Sequence, residues 1–300
     1  FAALTIFTGD GSAFITYRGT DATLVGWKED LNMSFSAAVP SQLEAVSYLG
    51  KMAGKIRGPL RIGGHSKGGN LAVYAAAFCG KKIQSRITVI YSNDAPGFHH
   101  TVMDSAGYRA IREKICAFVP QDSVIGMLFE HEDDYTVVKS TQTGLLQHDV
   151  YSWEVTHNDV VRLDAVTQGS RFIDRTLKEW IGGLNKTQRE QFTETLFTIL
   201  SSTEAKSFPE LGAGWLKNTG LMIQSLTSVD ESTRELVFNA VAALLKAAKN
   251  NINTLLPKTN REKTSRPKLL TNAPRPEAPP PEGGHLDMAP PANQDKTAHD

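Results

Sequence analysis

A serine between two glycines is the feature of this sequence that points most directly to chemistry. Gly64-His65-Ser66-Lys67-Gly68 matches G-x-S-x-G and lies between a short β-rich run, Leu60–Ile62, and an Ala-rich helical stretch. A serine on such a strand-to-helix turn has strained backbone geometry and close neighbours, and glycines omit the side chains that would clash there. We therefore predict that Ser66 is a nucleophile. The backbone N–H of Lys67, at the helix start, then faces a developing oxyanion.

This turn has two alternative interpretations. A glycine-rich structural turn with an idle serine would assign no chemistry to Ser66. A phosphate-binding P-loop would require Lys and then Ser or Thr after Gly68. Because Gly69 and Asn70 follow instead, the P-loop interpretation is excluded.

A nucleophilic serine needs a base, and the base needs an acid that orients it. In a hydrolase with this kind of turn the chain order is nucleophile, acid, base, with the last two on loops after later strands. Asp122 follows the predicted strand Ile115–Val119 at its carboxyl end, where ligand sites of open sheets lie, and we predict that it is the acid. The alternative acid is Asp94, at the end of the preceding predicted strand.

Of the eight histidines, His148 is the predicted base because it lies beyond the last β-rich run. His157 is the reserve, and His65 is expected to point away from the Ser66 hydroxyl and to pack. The cluster His131-Glu132-Asp133-Asp134 has ligands for a divalent cation, but a solvated acidic loop is the simpler interpretation. We therefore predict no metal site.

Short β-rich runs alternate with amphipathic stretches in the first 170 residues. Leu4–Phe7 and Ala13–Tyr17 flank Gly9-Asp10-Gly11, which predicts a hairpin. From Leu60 to Val138, predicted strands and helices alternate. This order predicts an α/β fold with a mostly parallel sheet, right-handed crossovers and helices on both faces.

A helical region over residues 172–256 follows the predicted catalytic domain, residues 1–171. Asn185 with Gln188, and Ser228 with Glu231, have the spacing of capping boxes ahead of apolar stripes. These stripes are expected to form core. The alternative is an exposed apolar face that serves as a lid or a partner surface.

Residues 257–300 contain 9 of the 14 prolines and no aromatic residue. Because such a segment buries too little apolar area to offset the entropy of ordering it, we predict a disordered tail. Its first stretch is basic, with Lys258, Arg261, Lys263, Arg266 and Lys268. A soluble basic tail is the simpler interpretation, and a peripheral contact with an anionic membrane surface is the alternative.

Composition excludes several classes of protein. The 32 basic residues balance 32 acidic ones, which removes any general electrostatic case for nucleic-acid binding. No apolar run is long enough for a transmembrane helix. Two cysteines, Cys79 and Cys116, exclude a disulfide scaffold and a four-cysteine zinc site, and both are expected to be free thiols. A cytoplasmic location is the default expectation, although the chain starts at Phe1 and a removed signal peptide stays open.

The sequence resembles the class 3 (fungal-type) lipases of the α/β-hydrolase superfamily and their bacterial relatives. Tyr17-Arg18-Gly19-Thr20-Asp21 resembles the oxyanion segment of that family, and Trp27-Lys28-Glu29-Asp30-Leu31 resembles the segment that follows it. The elbow around Ser66, then Val119-Pro120-Gln121-Asp122, and then His148 complete the set in the family's order. The resemblance covers about residues 1–155.

The resemblance implies an α/β-hydrolase-like fold and a serine hydrolase that cleaves carboxylic esters through an acyl-enzyme. Ser66, Asp122 and His148 would form the triad, with Thr20 as second oxyanion donor beside Lys67. It implies no cofactor, and a small-molecule or lipid ester as substrate. Arg18 would anchor the oxyanion segment, with Asp30 as its candidate partner. The alternative is a non-catalytic interaction protein on a hydrolase scaffold.

Lys67 departs from the apolar residue that secreted lipases of this family usually carry after the nucleophile. One hypothesis is that its ammonium lies beside the pocket mouth and favours anionic substrates, such as phospholipids or acidic esters. The simpler interpretation is a solvated lysine. Together with the short segment from Asp122 to His148 and the helical region 172–256, which has no counterpart in the family, this departure argues against long-chain triglycerides and leaves ester hydrolysis intact.

Overall fold

The computed structural model describes residues 1–20, 28–30, 32–33, 36, 38–129, 134–203 and 215–255, with backbone only for residues 215–219. Within these ranges a seven-stranded sheet has the same spatial order as the chain. Its strands are β1 Ala3–Phe7, β2 Ala13–Tyr17, β3 Leu60–His65, β4 Ile87–Asn93, β5 Ile115–Pro120, β6 Thr136–Val138 and β7 Arg162–Leu163.

Strands β2 to β6 are parallel, and β1 and β7 are the antiparallel edges. The last residue of β3, His65, lies opposite Asn93 at the end of β4, and Asn93 in turn lies opposite Phe118 of β5. The carboxyl ends of these strands therefore meet at one edge of the sheet. The residues that directly follow β3 and β4 are brought together there.

Helices connect the parallel strands and continue beyond the sheet. They are α1 Pro40–Lys55, α2 Lys67–Phe78, α3 Lys81–Gln84, α4 His100–Met103, α5 Ala106–Ile111, α6 Gln168–Gly182, α7 Lys186–Ser201, α8 Trp215–Ser228 and α9 Glu231–Asn251. Shorter 3₁₀ turns include Gly144–His148. Helix α2 packs between α1 and α5 and against strands β2, β3 and β4.

The main core lies between the sheet and helices α1, α2 and α5. Helix α2 is buried along nearly its whole length, which explains its run of small residues, Ala75-Ala76-Ala77 among them. Small side chains let the helix axis approach the sheet closely. Leu60 and Ile62 of β3 are fully buried beneath it, so the strand and the helix on either side of Ser66 both belong to the main core.

Helices α6 to α9 pack mainly on one another, with α9 against α6 and α7. The predicted capping box of α7 is present: Asn185 Oδ1 accepts from Gln188 N, and Gln188 Oε1 accepts from Asn185 N. The second predicted box is wrong. Ser228 is the last residue of α8, and α9 is capped by Asp230, whose carboxylate accepts from Thr233 N at 2.9 Å.

The predicted α/β fold with a mostly parallel sheet is confirmed, and so are the β1–β2 hairpin and the free thiols of Cys79 and Cys116. Residues 1–262 form one compact unit. The predicted disordered tail, residues 257–300, lies outside the described residues. In the described part of the chain, no helix combines the length and apolar character that crossing a bilayer requires.

Candidate active site

Ser66 lies on a sharp turn between β3 and α2. Its backbone has φ 58° and ψ −135°, a conformation that non-glycine residues rarely adopt. The turn is enclosed by the segment after β2, since a Cβ added to Gly19 would lie 3.3 Å from the Cβ of Ser66. The predicted elbow geometry is thus present, with the first free N–H groups of α2 beside the serine.

Gly68 is required by close backbone packing. A Cβ at this position would overlap the carbonyl oxygen of Tyr17 and lie 3.0 Å from Gly19 N. We expect Gly68→Ala to lower the free energy of unfolding by about 1–3 kcal/mol in urea denaturation. Gly50, within α1, is the matched control: an added Cβ there meets nothing within 4 Å, so Gly50→Ala should stabilise by about 0.5–1 kcal/mol. Equal effects of the two substitutions would contradict close packing at the elbow.

The carboxylate that contacts His148 is that of Asp94, the alternative acid. Asp94 Oδ2 lies 2.7 Å from His148 Nδ1. A carboxylate accepts, so Nδ1 carries the proton and Nε2 is the nitrogen left to act as base. Asp94 is 1% exposed, has φ 44°, and accepts through Oδ1 from Ser123 Oγ at 2.5 Å and Gly126 N at 3.1 Å. Its second oxygen is therefore held toward the imidazole.

Asp122, the predicted acid, does not contact the His148 ring. Its carboxylate accepts from Gln147 Nε2 at 2.8 Å and from Thr167 Oγ1 at 2.5 Å, and its N–H donates to Gln147 Oε1. These contacts correct the assignment of Asp122 as the orienting acid. The physical reason is strand order: the loop of Asp122 follows β5, which is one strand farther from Ser66 than β4, the strand that Asp94 follows. Asp122 instead holds the residue next to His148.

His65 supports the same loop from the elbow. Its Nε2 lies 2.7 Å from the carbonyl oxygen of His148, and because a carbonyl only accepts, this nitrogen donates. The two imidazole rings also contact each other, with centroids 4.4 Å apart and ring planes tilted by 39°. Burial and the neighbouring ring of His148 lower the pKa of His65. His65 was expected only to pack. The structure adds a hydrogen bond from its side chain to the backbone of His148, which holds the loop that carries His148 (the base loop) next to the Ser66 turn.

The hydrogen bond that attack requires, from Ser66 Oγ to His148 Nε2, is not among those that the described residues make. The side-chain hydrogen bond of His148 in this part of the chain goes to Asp94. Catalytic hydrogen bonds are often long before substrate binds and tighten in the complex. Proton transfer from Ser66 would therefore require this hydrogen bond to form in the complex with substrate.

Lys67 is not at a pocket mouth. Its side chain is 6% exposed, and Nζ lies 2.5 Å from Glu29 Oε2 and 3.0 Å from Asp30 Oδ1. The hypothesis that this ammonium attracts anionic substrates is therefore wrong. Arg18 is exposed, and its candidate partner Asp30 is used instead by Lys67 and by Thr20, whose Oγ1 donates to Asp30 Oδ2 at 2.6 Å.

The other side chains that the sequence analysis considered for the site form no hydrogen bond with Ser66, Asp94 or His148 in the described part of the chain. His157, the reserve base, is exposed. Trp27 lies outside the described residues, and so do His131, Glu132 and Asp133 of the predicted acidic cluster, whose last residue, Asp134, is exposed. Asn70, which the sequence did not single out, is buried behind the site, where its amide donates to the carbonyl oxygens of Pro96 and Gly97. It ties the first turn of α2 to the loop that carries Asp94.

The sequence was also compared with known proteins. The model of the Mbeg1-like family matches residues 1–198, which include the elbow, Asp94 and His148. No curated protein and no solved structure gave a significant match.

Proposed function

We propose that this chain, which belongs to the lipase-like Mbeg1-like family, is a serine hydrolase that cleaves carboxylic esters through an acyl-enzyme intermediate. Ser66 is the nucleophile, His148 the base and Asp94 the acid. The observation that carries the proposal is the 2.7 Å contact between a buried Asp94 and His148 Nδ1, on loops that reach the strained Ser66 turn.

In this mechanism His148 Nε2 takes the Ser66 proton as Oγ attacks the ester carbonyl. The backbone N–H groups of Lys67 and Thr20 stabilise the tetrahedral oxyanion. His148 then protonates the leaving alcohol and activates the water that releases the acid. Asp94 keeps the proton on Nδ1 and stabilises the imidazolium, so it need not be protonated itself.

A fluorophosphonate probe tests the proposal, because it bonds covalently only to an activated serine. We expect the probe to label the wild-type protein at Ser66 and not to label Ser66→Ala. An unchanged thermal unfolding temperature of Ser66→Ala shows that the variant is folded. A panel of p-nitrophenyl esters of increasing chain length, with phospholipids and lysophospholipids, then defines the substrate. Absence of labelling and of ester turnover in folded protein would instead support a non-catalytic interaction protein.

A further inference from the structure

Lys67 has an unusual environment for a lysine side chain. It follows the nucleophile directly, yet it is buried, and its ammonium contacts the carboxylates of Glu29 and Asp30. Lysine is rarely buried without such partners, since removing the charge from water is strongly unfavourable. An elbow needs only the backbone of this residue. The buried ion pairs therefore require an explanation beyond the turn itself.

The two carboxylates connect Lys67 to different parts of the chain. Asp30 forms an ion pair with Lys67, whose Nζ lies 3.0 Å from its Oδ1, and its Oδ2 accepts a hydrogen bond from Thr20 Oγ1. Glu29 accepts from Lys67 through Oε2 and, through Oε1, from the N–H of Ser41 in the first turn of α1, at 3.0 Å. One ammonium thus links the elbow to α1 and to residues 18–20, which we call the Thr20 segment.

The electrostatics of the two carboxylates differ. Burial raises the pKa of Glu29, but the Lys67 ammonium and the N–H of Ser41 outweigh it, so the pKa of Glu29 lies below its usual value. Burial keeps the pKa of Asp30 above its usual value, although Lys67 and Thr20 both act to lower it. Without the cation, Asp30 would keep, among the described residues, only the Thr20 hydroxyl as a donor. The carboxylates therefore depend on Lys67 more than a surface pair would.

We propose that Lys67 is a positioning residue, whose ammonium holds the Thr20 segment in register with Ser66 through Asp30 and Glu29. The role rests on the proposed function. An oxyanion hole stabilises the transition state only when its donors are already in place, so an error in the position of Thr20 acts on kcat. Gly19 already lies against Ser66, and the ion pairs fix the residue that follows it.

Lys67→Met tests the role in catalysis, since it keeps the length of the side chain and removes its charge. We expect kcat for p-nitrophenyl ester hydrolysis to fall about 10²-fold with KM changed less than about threefold. Lys67→Arg retains a cation, and its kcat should be at least about tenfold higher than that of Lys67→Met. Lys28→Met is the matched control: Lys28 pairs at the surface with Glu194, and its loss should change kcat less than about twofold.

Amide hydrogen exchange tests the same role without any turnover. In Lys67→Met, peptides that contain residues 18–20 should exchange at least about tenfold faster, while peptides from β4 and β5 stay unchanged. If Lys67→Met does not fold, Lys67→Met/Asp30→Asn takes its place, because the amide introduced at position 30 can still accept from Thr20 and leaves no unpaired charge there. The same kcat loss and faster exchange are expected for it.

Two outcomes overturn the inference. One is a variant without the Lys67 ammonium that is folded and labelled by fluorophosphonate and has kcat within about twofold of wild type. The other is unchanged exchange at residues 18–20. Failure of the proposed function gives a different pattern, in which wild-type protein is neither labelled nor active, while the exchange difference still reports whether Lys67 holds the segment.

Discussion

Replacing Asp94 by asparagine should lower kcat for ester hydrolysis by about 10⁴-fold, with KM nearly unchanged. The amide keeps the shape of the side chain but presents an NH₂ group where the carboxylate accepts the Nδ1 proton. The imidazole then favours the tautomer with its proton on Nε2, and that tautomer cannot take the proton of Ser66. Stabilisation of the imidazolium is lost as well. Steady-state kinetics on a p-nitrophenyl ester measure both effects.

Asp122→Asn is the matched comparison, because the same chemical change is made on the neighbouring loop. The amide introduced there can still accept from Gln147 or Thr167, so the turn that bears His148 keeps part of its support. We expect kcat to fall no more than about tenfold. A large loss with Asp122→Asn and a small one with Asp94→Asn would restore the acid that the sequence alone favoured. Thermal unfolding of both variants separates chemistry from folding.

The choice between these aspartates shows where reasoning from sequence ends. Both follow a strand at its carboxyl end, and the pattern predicts this correctly for each. Which one reaches His148 depends on strand order and on one backbone angle. β4 is the direct neighbour of β3, and the φ of 44° at Asp94 turns its side chain under the base loop. Neither property has a signature in the residue types.

The elbow was easier to predict because its requirements are local. A strand, a strained serine and close packing together demand small residues at fixed spacing, and Gly64 and Gly68 meet that demand. Lys67 is the opposite case. A lysine at a helix start suggests a solvated charge, and only tertiary contacts with Glu29 and Asp30, far earlier in the chain, reveal its burial. The prediction of the α9 cap was wrong for a different reason. Ser228 and Asp230 both have side-chain oxygens that can cap a helix, and they lie within one turn of each other.

His148→Gln should reduce turnover by at least about 10⁴-fold and slow fluorophosphonate labelling by a similar factor, because both reactions need the Ser66 proton removed. Glutamine can still donate to Asp94 but has no nitrogen that accepts a proton at neutral pH.

His157→Gln provides the control. His157 is exposed, follows His148 in the chain, and is the alternative base that the sequence analysis named. We expect both its turnover and its labelling rate to stay within about twofold of wild type. Labelling that survives His148→Gln but not His157→Gln would move the base to His157 and require a different path for the proton.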